Sequence, residues 1–298
     1  METTSDNRIS PEELTNPLPP GRWLFSVGMT AVAFILTAMA LLPLLAILVE
    51  ILRQGVPHLT WEVFTALPAP VGMEGVPNGF ANAIAGTVMM VTIAAVLSIP
   101  IGVLTAIYLS EFGKSRAIAQ AIRFVVTILS GVPSIVVGVF AFGVIVLTFK
   151  GFSALAGGFA LAVIMLPIVI LATEEALKLV PTNQRLASAA LGANPLQTTF
   201  RIVVATALPG ITTGVLLAVA RAAGETAPLI FTALFTQNWP EGLLHPAPSL
   251  SVLIYNYSNS AFVEQNQLAW SASTILVGMV LVFSILSRFV TRKRLKSR

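Results

Sequence analysis

Two opposite charges interrupt an apolar run at RAAGETAP, Arg221 to Pro228. Arg221 and Glu225 are spaced i, i+4, so on a helix they share one face and can form an internal ion pair. Arginine-first is the weaker order, and such a pair contributes tenths of a kcal/mol on an exposed helix. The flanking ITTGVLLAVA and LIFTALF read as membrane-spanning sequence, where each charge costs ~2.5–3.5 kcal/mol on insertion scales. Two such penalties outweigh the local pair, so these residues need a wet cavity or opposite charges from a second subunit. Three uses fit. Arg221 can present its planar fork to a passing oxyanion, with Glu225 holding the fork and keeping the anion from binding too tightly. The pair can instead act as a gate against a second subunit, or fix subunit register. Gly224 suits close approach of a neighbouring helix, Thr226 completes the stretch, and Pro228 breaks the helical ladder beyond the pair.

Other chemistry is missing. The chain has no cysteine, which excludes thiolate metal sites and a cysteine nucleophile. Its two histidines, His58 and His245, both fall in polar, loop-like stretches, so no histidine-based metal cluster is expected. Gly113-Lys114-Ser115 matches the end of a phosphate-binding P-loop, but Tyr108 stands where the loop needs its first glycine. Neither HExxH nor GxSxG occurs. Ser153 with a loop histidine is the only imaginable protease dyad, and no spacing supports it. No nucleophile–base pair can be named, so a transport or binding role is favoured over an enzyme.

The elements that hold the charged pair are membrane helices. Of the 298 residues 56% are hydrophobic and 10% charged, with mean hydropathy +0.87, against about 25% charged in soluble domains. Six regions reach the ~20 apolar residues of a span: Trp23–Leu52, Ala81–Ser110, Ala119–Phe149, Ala154–Leu179, Ile202–Phe235 and Leu268–Val290. Two long polar connections separate them, Arg53–Gly79 and Thr236–Gln267. With the amino terminus inside, all of the 17 basic residues except Arg53, Lys150 and Arg221 fall on the cytoplasmic side. That asymmetry gives both termini to the cytoplasm, and the pI near 9.8 then reflects headgroup contacts of the tail RFVTRKRLKSR rather than nucleic acid. The expected organisation is a polar tail over 1–22, a first span and outer loop over 23–77, a transport domain over 78–290 and a basic tail over 291–298. The tail is too acidic and proline-rich for a cleavable signal peptide. Prolines inside five of the spans read as kinks, and Ser134 with Gly138 in GVPSIVVG suits close helix packing.

One cytoplasmic segment stands out. VPTNQRLASAALGANPLQTTFR, Val180–Arg201, is too polar to span but keeps Leu186, Ala190 and Leu191 at helical spacing. Gly192 suits a position just past a helix end, and Asn194 with Pro195 suits the cap and first turn of a second helix. A short helix, a sharp turn and a helix entering the fifth span are expected.

This segment resembles the coupling loop of ABC-importer permeases, whose pattern is Glu-Ala-Ala, three residues, Gly, nine residues, Ile-x-Leu-Pro. Ala187, Ser188, Gly192 and Ile202 fall in matching places; Leu186 stands for the glutamate and Val204-Ala205 for Leu-Pro. From about Asn78 onward, RAAGETAP, NAIAGTVMMVTIAAVLSIPIGVLTAIYLSEFG and LSGVPSIVVGVFAFG are similar to the phosphate-uptake members of that family. The resemblance implies an all-α, polytopic, six-span permease with a type I-like fold and a cytoplasmic coupling helix in a bacterial cytoplasmic membrane. It implies coupling to an ATPase through Ala187, Ser188, Gly192, Ala193, Asn194 and Pro195, and a path or gate at Arg221, Gly224, Glu225 and Thr226. The partners it implies are a second permease of the PstC type, two ATPase subunits of the PstB type, an extracytoplasmic phosphate-binding protein of the PstS type and membrane lipid. ATP and Mg would sit in the ATPase subunits, with no cofactor in this chain. Residues alone do not separate phosphate from sulfate, molybdate or tungstate. An ion-coupled secondary transporter is the rival from another class, although no inverted repeat is visible; an assembly scaffold is the third.

Overall fold

The computed structural model describes residues 19–73, 75–113 and 116–296, the part beyond 285 by its backbone. The expected tail at 1–22 lies outside the described residues as far as 18, and Lys114 and Ser115 of the P-loop-like match lie outside them too. Two compact units divide the chain, Met1–Glu50 and Ile51–Arg298. Helix α1, Pro20–Gly55, begins in the first and ends in the second, with Pro43 inside it.

All regular elements among the described residues are helical. After α1 come α2 (Ala81–Ile107), closed by a π-helical turn Tyr108–Phe112, then α3 (Ala117–Gly131) and α4 (Ser134–Phe149). Next are α5 (Ala154–Lys178), α6 (Thr182–Ala190), α7 (Pro195–Gly224), α8 (Ala227–Thr232), α9 (Leu250–Ser258) and α10 (Val263–Lys296). Helices α1, α2, α5, α7 and α10 are long and apolar enough to cross a bilayer, and α3 with α4 makes a sixth when taken as one broken span.

Helix α5 is the hub. Two thirds of its apolar window is buried (67%), against 17% for α10. Ala154, Ala156, Ala160 and Ala162 keep its surface shallow, so the backbones of α2 and α7 can approach closely. Met90 and Ala94 of α2, Leu161 and Met165 of α5, and Ala218 and Ala222 of α7 fill the middle of this unit. One end is closed by Val63, Phe80, Leu250, Leu253, Tyr257 and Leu268. Tyr257 stacks edge-on against Phe235, and burial pushes its hydroxyl above the ordinary tyrosine range despite a hydrogen bond from Gln237. The other end is closed by Ile107, Leu177, Val180, Val203 and Ile211.

Two predicted spans are corrected. Ala119–Phe149 is not one helix: α3 and α4 meet at 106°. Pro133 has no N–H to continue the ladder, and Val132 before it is extended at φ −70°, ψ 130°. Ile202–Phe235 is likewise continuous only to Gly224, with α8 a separate piece. Pro43, Pro100, Pro167 and Pro209 lie inside unbroken helices. The polar connection Thr236–Gln267 holds a helix that sequence reasoning missed, α9. Helix α10 also runs on to Lys296, through most of the expected basic tail; 297 and 298 lie outside the described residues.

Candidate functional site

Arg221 occupies the last turn of α7, where a cation meets the negative end of the helix dipole. Glu225 is the residue after Gly224 and is extended, at φ −73° and ψ 128°. The pair therefore does not sit on one continuous helix, contrary to the simple i, i+4 expectation. Pro228 accounts for the break: it cannot donate to the Gly224 carbonyl, and its ring would crowd that oxygen. Arg221 Nε still reaches Glu225 Oε1 at 3.5 Å, the limit of a hydrogen bond, with 56% of the arginine side chain exposed against 16% of the glutamate. So loose a contact cannot offset the insertion penalties estimated above.

The unwound backbone is held from outside its own helix. Ser251 Oγ of α9 donates to the Glu225 carbonyl at 2.9 Å. Thr226 caps α8 through its backbone, its carbonyl accepting from Leu229 and Ile230. Helix α4 packs on α8 with Gly138 against Pro228, where a Cβ would lie 2.7 Å from the proline Cα. The two broken helices thus lean on each other, and the close packing expected of Gly138 is met here. A Cβ placed at Gly224 would meet nothing within 4 Å beyond its own helix, so the close approach expected there is not made among the described residues.

The second site is the hairpin α6–α7, at the opposite end from α9. Helix α6 ends at Ala190, and Gly192 follows at φ +83°, a left-handed conformation that favours glycine. Asn194 Oδ1 accepts from Gln197 N at 2.8 Å, and Gln197 Oε1 accepts from Asn194 N at 3.0 Å, a reciprocal capping box with Pro195 in the first turn. The helix–turn–helix shape is the one expected from the sequence. Ser188 is buried and shares a hydrogen bond with Thr198 across the hairpin at 2.9 Å. Leu186 and Leu191 are 63% and 89% exposed, and Ala187 is exposed while Ala193 is half-buried. A groove lined by Ala187, Ser188, Gly192, Ala193 and Gln197 runs along the hairpin. Replacing Asn194 by alanine should loosen the start of α7 by ~1 kcal/mol. Hydrogen exchange of the amides at 195–198 should then accelerate about fivefold, and unchanged exchange would show that the cap is not needed.

Sequence reasoning also missed a set of ion pairs at the hairpin end. Arg123 reaches Glu174 with Nε and a terminal nitrogen, at 3.0 and 2.9 Å, and donates to the Leu109 carbonyl. Lys178 bridges Glu174 and Glu175. Arg185 of α6 pairs with Glu111 at 2.8 Å. Charges at both ends of apolar runs were the available signal, but pairing 74 residues apart (Glu111 and Arg185) is not readable from one sequence. The imagined Ser153 dyad has a simpler explanation. The Ser153 hydroxyl caps α5 by accepting from Ala156 N, although the next residue does bond the His245 carbonyl.

Comparison with known proteins fits this architecture. The family described as "Binding-protein-dependent transport system inner membrane component" matches residues 98–296. The chain is 40% identical to the phosphate transport system permease protein PstA of Haemophilus influenzae, covering 87% of this chain and 91% of that one. It is 39% identical to PstA of Yersinia pestis, covering 84% of each. It is 35% identical to a probable PstA of Methanocaldococcus jannaschii, covering 92% and 94%. Among solved structures, a chain of an inward-facing MetNI methionine ABC transporter shares the fold with TM-score 0.59, at 20% identity over 71% of this chain and 94% of that one.

Proposed function

The chain belongs to the binding-protein-dependent transport system inner membrane component family, and on that premise we propose that it is the PstA-type permease subunit of an ATP-driven phosphate importer. One observation carries the mechanism: a spanning helix unwinds at Glu225 and leaves Arg221 largely exposed beside the break. A guanidinium held loosely on one side by a carboxylate keeps further N–H donors for an oxyanion, in a geometry that suits phosphate oxygens. Glu225 limits how tightly the anion is held, because it competes for the same fork. The exposed side of Arg221 faces the interface with a second permease of the PstC type, and closing that interface gates the path.

The hairpin end lies in the cytoplasm, as the basic residues Arg123, Lys178, Arg185 and Arg201 indicate, with both termini on the same side of a bacterial cytoplasmic membrane. There the exposed Leu186 and Leu191 flank a turn shaped for the groove of a PstB-type ATPase. ATP would be bound with Mg and hydrolysed in that subunit. A PstS-type phosphate-binding protein delivers substrate at the opposite end, where α9 and the loops lie.

Reconstitution of the permease pair with ATPases and binding protein in lipid vesicles tests the proposal. ATP-dependent accumulation of labelled phosphate is expected, with sulfate, molybdate and tungstate competing poorly. Equal competition by those anions would overturn the choice of phosphate. Flux driven by an ion gradient without the ATPases would overturn the importer reading itself.

A further inference from the structure

We propose that Arg185 and Glu111 form the strut through which the coupling hairpin moves the transmembrane helices, making Arg185 a positioning residue for transport. The proposal rests on the importer reading above. Four hydrogen bonds engage four of the five N–H donors of the guanidinium. Nε and a terminal nitrogen grip the Glu111 carboxylate at 3.2 and 2.8 Å, and the fork also donates to the carbonyls of Leu177 and Val180. Arg185 is 18% exposed and Glu111 9%. A pair so enclosed and bidentate is stiff, unlike a surface ion pair.

The connection matters because of what it joins. Arg185 belongs to α6, Glu111 to the π turn that ends α2, Leu177 to the last turn of α5 and Val180 to the link that follows it. The last carbonyls of a helix lack partners within it, and a cation there suits the dipole. The π turn is itself tied down, since Arg123 holds the Leu109 carbonyl at 2.8 Å. One limb of the hairpin continues covalently into α7. On the other limb, α6 is joined to α5 by the short link after Lys178 and to α2 by no chain at all. Without Arg185, only the apolar packing of Ile107, Leu177, Val180, Val203 and Ile211 ties a tilt of the hairpin to α2 and α5. With it, a tilt must carry the ends of α2 and α5 as well, or break an enclosed ion pair. Leu186, next in sequence, points its apolar surface outward, so the contact surface for a partner and the strut occupy neighbouring but separate residues.

The test uses the complete reconstituted complex with Arg185→Gln, Glu111→Gln, the double variant and Arg185→Lys. ATP hydrolysis and phosphate uptake are read in the same vesicles, and hydrogen exchange over 108–112 is compared with and without ATP and vanadate. In either glutamine variant, ATP consumed per phosphate should rise about fivefold or more with normal recovery of the complex. The double variant should be no worse than either single one, because both changes remove the same link. Exchange over 108–112 should respond to nucleotide in the wild type and not in Arg185→Gln. An unchanged ratio, or hydrolysis and uptake falling in proportion, would overturn the strut. Should the glutamine variants fail to assemble, Arg185→Lys decides, since it keeps the charge and loses the fork: a raised ratio supports the strut and a wild-type ratio overturns it. Absence of phosphate uptake in the wild-type complex would strike the importer reading alone, because the exchange measurement does not depend on the substrate.

Discussion

Phosphate uptake should fall about 10- to 100-fold in Glu225→Gln, equivalent to ~1.4–2.7 kcal/mol in the barrier, while the complex assembles normally. Glutamine keeps the size of the side chain, and the backbone carbonyl that Ser251 holds is untouched. What disappears is the negative charge 3.5 Å from Arg221 Nε. An arginine on a membrane helix then has no counter-charge among the described residues, and a bound oxyanion becomes that counter-charge. Slower turnover with a lowered KM is therefore the expected signature of a substrate contact. Arg221→Lys keeps the charge but replaces a fork with a point donor, and should raise KM with a smaller effect on recovery of the complex. Gating makes a different demand: the doubly neutral Arg221→Gln/Glu225→Gln protein should hydrolyse ATP without binding protein. If both single variants take up phosphate at the wild-type rate, the pair has no part in translocation. If neither assembles, it sets subunit register.

The coupling hairpin was legible because each of its signals is local. A positive-φ glycine, an asparagine followed by proline, and a glutamine three residues after the asparagine all act within a few residues. The charged stretch was legible as an anomaly in an apolar run, yet its geometry was not. Spacing alone placed Arg221 and Glu225 on one helical face, whereas Pro228 acts back on Gly224 and turns the intervening residues out of the helix. The same proline chemistry bends α3 away from α4 at Pro133, while four other prolines leave their helices unbroken. Which proline breaks a helix depends on whether neighbours satisfy the freed carbonyls, and that is tertiary information. Helix α9 did carry a local signal, since Ser249 precedes the apolar run LSVLIY and caps it. Its role was hidden, because the bond from Ser251 to Glu225 spans 26 residues.

That bond makes a distant glycine decisive, and Gly86→Ala should lower uptake more than its size suggests. Within a helix the change to alanine is favourable by about 0.8–1 kcal/mol of propensity, so α2 itself gains. The effect on packing has the opposite sign. A Cβ at Gly86 would run into the carbonyl oxygen of Pro248, a backbone atom with no rotamer to adopt. Nor can that backbone drift, because Ala247 N bonds the Ala233 carbonyl and Leu250 N bonds Thr87 Oγ1 at 2.8 Å. Forcing a methyl into such a contact typically costs about 1–3 kcal/mol, more than the propensity gain, and it expels the segment that leads into α9. Ser251 then leaves the Glu225 carbonyl, and the unwound backbone loses the side-chain bond that fixes it. Uptake should drop about tenfold or more in Gly86→Ala, and Ser251→Ala should reproduce much of the loss without any steric insult. Gly278→Ala, made on α10 where the added Cβ would meet nothing within 4 Å beyond its own helix, should leave uptake and thermal stability as they were. Wild-type uptake in Gly86→Ala would show that the outer segment yields freely, and the link from α9 to the charged break would then carry no force.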